Sequence, residues 1–269
     1  MSSTSYSMSD EPLRDVELPE TPEPQDEDEV DVELRSPLEV RTRILILATV
    51  LRRLALENPT IEDGGDLTAE AFDEREWLRE QGLEHQLTTG EAALLDSPPG
   101  SVALEAVGEA SWQGEALVAL GWAIGEVEMP PVGTASDPRP LLNVVPRPWD
   151  GTEDWLGNPA LASELEAARQ REIAEIWYWR LTTEVLRRTA PAADSPDYKE
   201  AIQEVAAEAL EVGLVPALRN GDFPVHGRSV KDLPDHDVDE LIAVTGQRLR
   251  ALNWLCGFGT SWDDLPLDI

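Results

Sequence analysis

The chain has 269 residues, enough for one large domain or two modest ones, and its 54 acidic side chains outnumber its 21 basic ones for a formal net charge of −33. That charge repels nucleic acid and anionic membrane surfaces and sets both aside as nonspecific partners. The longest near-apolar run, Ala116 to Ile124, is far short of the roughly 20 residues that cross a bilayer.

Two bases are lysines, Lys199 and Lys231, and the rest are arginines. The acid excess fits a very soluble protein, a salt-rich cytoplasm or a basic partner. Scarce lysine fits a halophile, and arginine in its place fits a GC-rich genome as well. A single cysteine, Cys256, allows no intramolecular disulfide and argues against a cysteine-based metal site. No basic stretch followed by an apolar one opens the chain, so no signal peptide is expected. The protein is read as soluble and cytoplasmic.

Residues 1–35 read as a disordered acidic tail. Asp10 to Leu34 holds twelve acids, one base, four prolines and no aromatic residue, too little apolar surface to offset the entropy of ordering. It is either a solvated tail or an arm for a basic protein partner or a basic pocket. Residues 36–269 are expected to form one helical domain. "SPLE" at Ser36 combines a capping serine, a first-turn proline and a capping-box glutamate. Val40, Ile44, Leu47, Leu51 and Leu54 follow at helical spacing, so the helix should reach about Glu57.

A second helix is expected from Asp66 or Thr68, carrying Phe72, Trp77 and Leu78. "TTGE" at Thr88 to Glu91 is a capping box for a short helix through Leu95. Val102 to Glu126 reads as one helix, apolar all round in its second half and therefore central, with Gly121 allowing close approach. A long Pro-rich connection follows, in which "LLNVV" reads as a short extended piece. Asn158-Pro159 reads as the start of a helix through about Thr189. Its expected inner face holds Leu161, Leu165, Ala168, Glu172, Ile173, Ile176, Trp177, Arg180 and Leu181. Ser195-Pro196 should open another helix, with Tyr198, Ile202, Val205, Ala209 and Leu210 inward. After a loop, the last long helix runs from about Asp235 to Gly257. No segment shows convincing strand alternation. The fold class is all-α, with six or seven helices.

Chemical motifs are scarce. There is no phosphate-binding glycine loop, no nucleophile elbow and no dinucleotide turn. Cys256, at an apolar helix end, reads as a buried structural thiol. His236 and Glu240 lie one turn apart, as do Asp235 and Asp239, but acids gather at helix starts for electrostatic reasons, so no metal site and no cofactor is assigned. "WYWRL" places Arg180 beside Trp177 and Trp179. Arg180 is either ion-paired with Glu184 or Glu175, or an anion-binding arginine in a tryptophan-walled pocket. On the last helix Arg248 lies beside a leucine face, and a buried guanidinium needs a counter-charge. Glu115, Asp263 and Asp264 are the candidates, with Trp262 covering the helix end and shielding the pair.

"TTGEAALL", "SWQGEALVALGWAIG", "WYWRL" and "RLRALNWLCGFGTSWDDLPLD" together resemble a bacterial domain-of-unknown-function family, number forty-two seventy-two. Thr88, Glu91, Trp112, Glu115, Trp122, Trp179, Arg180, Arg248, Asn253, Trp254, Trp262, Asp263 and Asp268 fall on its motif positions. Gly246-Gln247, Thr182 and Ile269 depart from it. The resemblance implies an all-α intracellular protein and no reaction. The resulting reading is an interaction or regulatory protein of unknown activity, with enzymatic function undecided but not favoured. The alternative is an enzyme or small-anion binder with a pocket between the Trp179–Arg180 helix and the C-terminal helix. Trp179, Arg180, Arg248 and Glu115 would line it, while Trp112, Trp122, Asn253, Trp254, Trp262, Asp263 and Asp264 are read as structural motif residues.

Overall fold

Capping starts the fold where the sequence places it. Ser36 and Glu39 close a reciprocal capping box at the start of α1 (Pro37–Ala55). Thr88 and Glu91 do the same for α3 (Thr89–Asp96), after α2 (Leu67–Glu80). The computed structural model describes residues 32–57, 67–189, 198–265 and 267. The expectations for 1–31, for the loop after Glu57, for the Ser195-Pro196 start and for Asp268 lie outside them.

The remaining helices are α4 (Leu104–Ser111), α5 (Gln113–Ala123), α6 (Arg139–Val144), α7 (Glu153–Gly157), α8 (Glu164–Thr189), α9 (Tyr198–Glu211) and α10 (Asp235–Leu255). The fold is all-α, with more helices than six or seven for two reasons. First, the expected 102–126 helix is jointed at Trp112, whose N–H bonds back to Glu109 in a tightened turn. Second, the Pro-rich connection holds α6 and α7, so "LLNVV" is helical rather than extended. Among the described residues the strands are β1 (Pro224–Val225) and β2 (Arg228–Ser229), an antiparallel pair. Their turn uses positive φ at His226 and Gly227, the geometry of a tight hairpin.

The start of α8 also differs. Ser163 and Glu166 exchange side-chain and backbone hydrogen bonds, a capping box five residues beyond Asn158. Asn158 instead accepts from the Ala160 N–H in a local turn. The buried face of α8 is accordingly set by Ala167, Ala174, Trp177, Leu181 and Glu184, while the expected inward residues Leu165 and Glu172 are exposed. Phe72 and Leu210 are likewise exposed, and Ala206 takes the inward place on α9.

Two helices, α1 and α5, occupy the centre. Val40 to Val50 of α1 are buried without interruption, so α1 does not present one apolar face as its leucine spacing suggested. Gly114 to Gly121 of α5 are buried too. A Cβ at Gly121 would collide with the side-chain tip of Leu141 of α6, so any larger residue here requires that buried leucine to shift. The larger apolar cluster joins α1, α2, α3, α5, α6 and α10. A smaller one gathers Trp177 and Leu181 of α8, Ala206 and Ala209 of α9, and Phe223 and Val230 of the loop before α10.

The compact unit begins at Val32. Gly257 (φ +79°) leaves α10 in the left-handed conformation. Phe258 N–H bonds to Asn253 and Gly257 N–H to Trp254, the paired bonds of a Schellman cap. The Arg35 N–H and Nε each donate at 2.9 Å, to the Leu255 and Trp254 carbonyls, so residues just ahead of Ser36 complete the end of α10.

Candidate functional site

Arginines brace the irregular parts of this fold. Arg52 of α1 donates to the carbonyls of Leu142, Val145 and Pro146 at 2.7–2.9 Å. Arg248 of α10 donates to those of Pro130, Pro131 and Thr134 and to Ser136 Oγ. A planar guanidinium with five donors can hold several carbonyls at once, which a lysine ammonium does less well. That property gives the arginine-rich composition a structural use.

Arg248 finds its counter-charge on the central helix. Its Nε donates to Glu115 Oε2 at 2.9 Å, and both side chains are buried. Glu115 also accepts from the N–H and hydroxyl of Ser136, each at 2.6 Å. The pair therefore stitches α10 to α5 and clamps the segment between α5 and α6. Asp263 and Asp264, the other candidate partners, are exposed. Trp262 does not shield this pair. It packs edge-on against Trp254, ring centroids 5.5 Å apart, and lies 4.3 Å from the guanidinium carbon of Arg43. Arg43 is paired with Glu91, so Trp262 covers the α1–α3 ion pair. The rest of the C-terminal motif is equally occupied: Asn253 Oδ1 accepts from Arg171 Nε at 2.8 Å, and Cys256 is a buried thiol. Trp112 and Trp122 are half-buried, the latter against the larger cluster.

Trp179 and Arg180 are consecutive yet open into different cavities, and Arg248 and Glu115 line neither. Trp179 lines a cleft of about 410 Å³ between α8 and α9. Its floor is Ile176, Val205, Ala209, Val212 and Leu214, and Glu172, Glu175 and Glu208 flank it. Val212 is 55% exposed there.

Arg180 is fully buried beneath the second cavity. It donates to Glu184, as expected, and also to Asp222, at 2.6 and 2.8 Å. Glu184 accepts from Arg187 and Arg188 as well. Burial pushes the Glu184 carboxyl up, but the hydrogen bonds from Arg187 and Arg188 and the Arg180 charge outweigh it and hold the group at about 2. Above this network lies a bowl of about 280 Å³ whose wall includes Lys199 and Lys231, the two lysines of the chain.

A third cleft, of about 460 Å³, is lined by Arg52, Glu70, Asp73, Glu74, Arg147 and Trp149. Glu74 is 7% exposed, and among the described residues its Oε2 has no hydrogen-bond partner. Trp149 sits at φ 71°, a region that costs a bulky residue on the order of 1–3 kcal/mol. Among 54 acids nothing in the sequence marked Glu74. Among the described residues no three His, Cys, Asp or Glu side chains are grouped to hold a metal, and no helix is long and apolar enough to cross a membrane.

A family profile described as "Domain of unknown function (DUF4272)" matches residues 15–198. The chain belongs to this family. The DUF4272 span contains the capping box at Thr88, the Glu115 helix and the Trp179–Arg180 segment, while Lys231, Arg248, Trp254 and Trp262 lie beyond it. No curated protein and no solved structure matches the chain.

Proposed function

We propose that the protein works by docking a partner protein, and that the docking site is the cleft between α8 and α9. The observation that supports this reading is Trp179, half-buried on an apolar floor between glutamates. A large aromatic at the edge of an apolar groove is the usual anchor of a protein interface. Glu172 and Glu208 are exposed at the margins of the cleft. The fitting occupant is therefore an amphipathic helix with apolar residues at i, i+3, i+4 and i+7 and Lys or Arg along both margins. The net charge of −33, most of it carried by residues 32–269, draws such a partner in from a distance and repels nucleic acid. The reading includes a cytoplasmic location.

The test uses a fluorescein-labelled basic amphipathic peptide and a control with the same apolar face and Glu margins. Fluorescence anisotropy with the full chain should show binding of the basic peptide only. Trp179→Ala leaves the charge untouched and should weaken binding at least about tenfold, a loss of about 1.4 kcal/mol. Equal binding by wild type and Trp179→Ala would reduce the effect to bulk charge and overturn the reading, as would no binding of the basic peptide.

A further inference from the structure

A chain this acidic concentrates cations in one place. The bowl at the α9 end of the Arg180 network is lined by Arg180, Arg187, Lys199 and Lys231, against the carboxylates of Asp222 and Asp232. Asp222 is already committed. Its Oδ1 accepts from Arg180 Nε and the Phe223 N–H, and its Oδ2 from Arg180 Nη2 and the Lys231 N–H. Among the described residues neither lysine ammonium has a carboxylate within ion-pair distance, and both side chains are exposed. Arg187 spends Nε and Nη2 on Glu184 and keeps one terminal nitrogen for another acceptor.

Both lysines line one cavity, above the buried Arg180 guanidinium that Glu184 and Asp222 neutralise. The neutral wall suits the same ligand. Gln203 and Asn220 bring amide groups, and the Asn220-Gly221 turn, with φ 55° and 71°, holds the loop against α9. Lys199 stands in the first turn of α9, where the helix dipole also favours negative charge.

We propose that this bowl binds a small phosphorylated metabolite through its phosphate groups. Phosphate suits the site better than a single carboxylate. It carries close to two charges and three acceptor oxygens, against Lys199, Lys231 and the remaining terminal nitrogen of Arg187, with Asp232 also on the wall. The cavity volume, about 280 Å³, accepts a phosphate with a small organic portion and is too small for a mononucleotide or a folded polyanion to be fully enclosed. The site lies at the other end of the α8–α9 pair from the Trp179 cleft, because it uses residues 180–187 with 199–203 and the cleft uses 172–179 with 205–214. It therefore stands whether or not the cleft docks a partner.

The lysine count makes the test selective. Reductive methylation with ¹³C-formaldehyde keeps the charge and labels only Lys199, Lys231 and the N-terminal amine. Inorganic pyrophosphate and inorganic phosphate are the probes, with sodium chloride at matched ionic strength as the control. Pyrophosphate is expected to shift both lysine signals saturably, phosphate to shift the same signals more weakly, and chloride to leave them unmoved. In unlabelled protein Lys199→Gln/Lys231→Gln, whose side chains are exposed, should fold with an unchanged melting temperature and lose at least tenfold in pyrophosphate affinity by calorimetry. Lysine signals that pyrophosphate moves no more than chloride does would overturn the proposal. So would equal affinity in the double variant. Saturation by a phosphoserine peptide but not by pyrophosphate would overturn it in favour of a protein ligand.

Discussion

Arg43 and Glu91 meet inside the protein across 48 residues of sequence, with Arg43 Nη1 donating to Glu91 Oε2 at 3.2 Å. The same Oε2 accepts from the Thr88 N–H at 2.9 Å. One carboxylate thus closes the first turn of α3 and neutralises a guanidinium of the central helix, which stacks on Trp262. Glu91→Ala removes both functions. It should cost on the order of 3–5 kcal/mol for the stranded Arg43, plus about 1 kcal/mol for the cap. Glu91→Gln keeps a capping acceptor but no charge, so most of the loss should remain. Urea denaturation at neutral pH measures both. A Glu91→Gln protein as stable as wild type would mean that the residue matters only as a cap.

The Arg248–Glu115 pair makes a different prediction, because the groups it holds are backbone carbonyls. Arg248→Ala should destabilise the protein by about 3–5 kcal/mol and speed amide hydrogen exchange through 130–136. Arg248→Lys retains the charge and cannot reach three carbonyls, a hydroxyl and a carboxylate together. Exchange should therefore accelerate in that segment with a smaller loss of global stability. An unchanged melting temperature in Arg248→Ala would count against the clamp.

What the sequence revealed was local or forced by charge. The capping boxes at Ser36 and Thr88 are four-residue signals whose partners lie within one turn. Arg248 beside leucines demanded a carboxylate, and Glu115 was among the few on a central helix. Asn158-Pro159 misled because it imitates a helix start, whereas the reciprocal pair at Ser163 and Glu166 satisfies more donors. Trp262 was assigned to the wrong ion pair because Arg43 lies more than two hundred residues away, and packing between distant segments leaves no periodic trace. The Lys199–Lys231 bowl was visible only as the rarity of lysine. Its geometry depends on a loop that brings Lys231 to the start of α9.

Cys256 tests the closure of the C-terminal helix. Burial pushes its thiol up to about 11, against the opposing charge of Arg171. The thiolate is the reactive form, so iodoacetamide at pH 8 should leave the native protein unmodified and alkylate it fully in urea. Mass spectrometry reads the difference. Rapid labelling of native protein would show that the end of α10 opens, against the Schellman cap and the Arg35 brace.

Glu74 should make stability fall with rising pH. Burial pushes its carboxyl up; Arg52 pulls it back in part, Asp73 pushes again, and the group settles at about 7 against an ordinary 4.5. Between those values the folded protein holds a proton that the unfolded chain has released. Stability therefore declines as pH rises through this window, and above 7 the full cost of the buried charge is present. Each pKa unit is worth about 1.4 kcal/mol, so the cost at pH 8 is on the order of 3 kcal/mol. Glu74→Gln keeps the shape and removes the titration. It should stabilise the protein by about 2–3 kcal/mol at pH 8 and by close to nothing at pH 4, the upper figure following from the same conversion. Paired urea melts of wild type and variant at the two pH values isolate Glu74 from every other titrating group. A difference between the two proteins that does not change with pH would show that folding leaves the Glu74 carboxyl's titration unshifted, with its Oε2 satisfied by solvent in the Trp149 cleft.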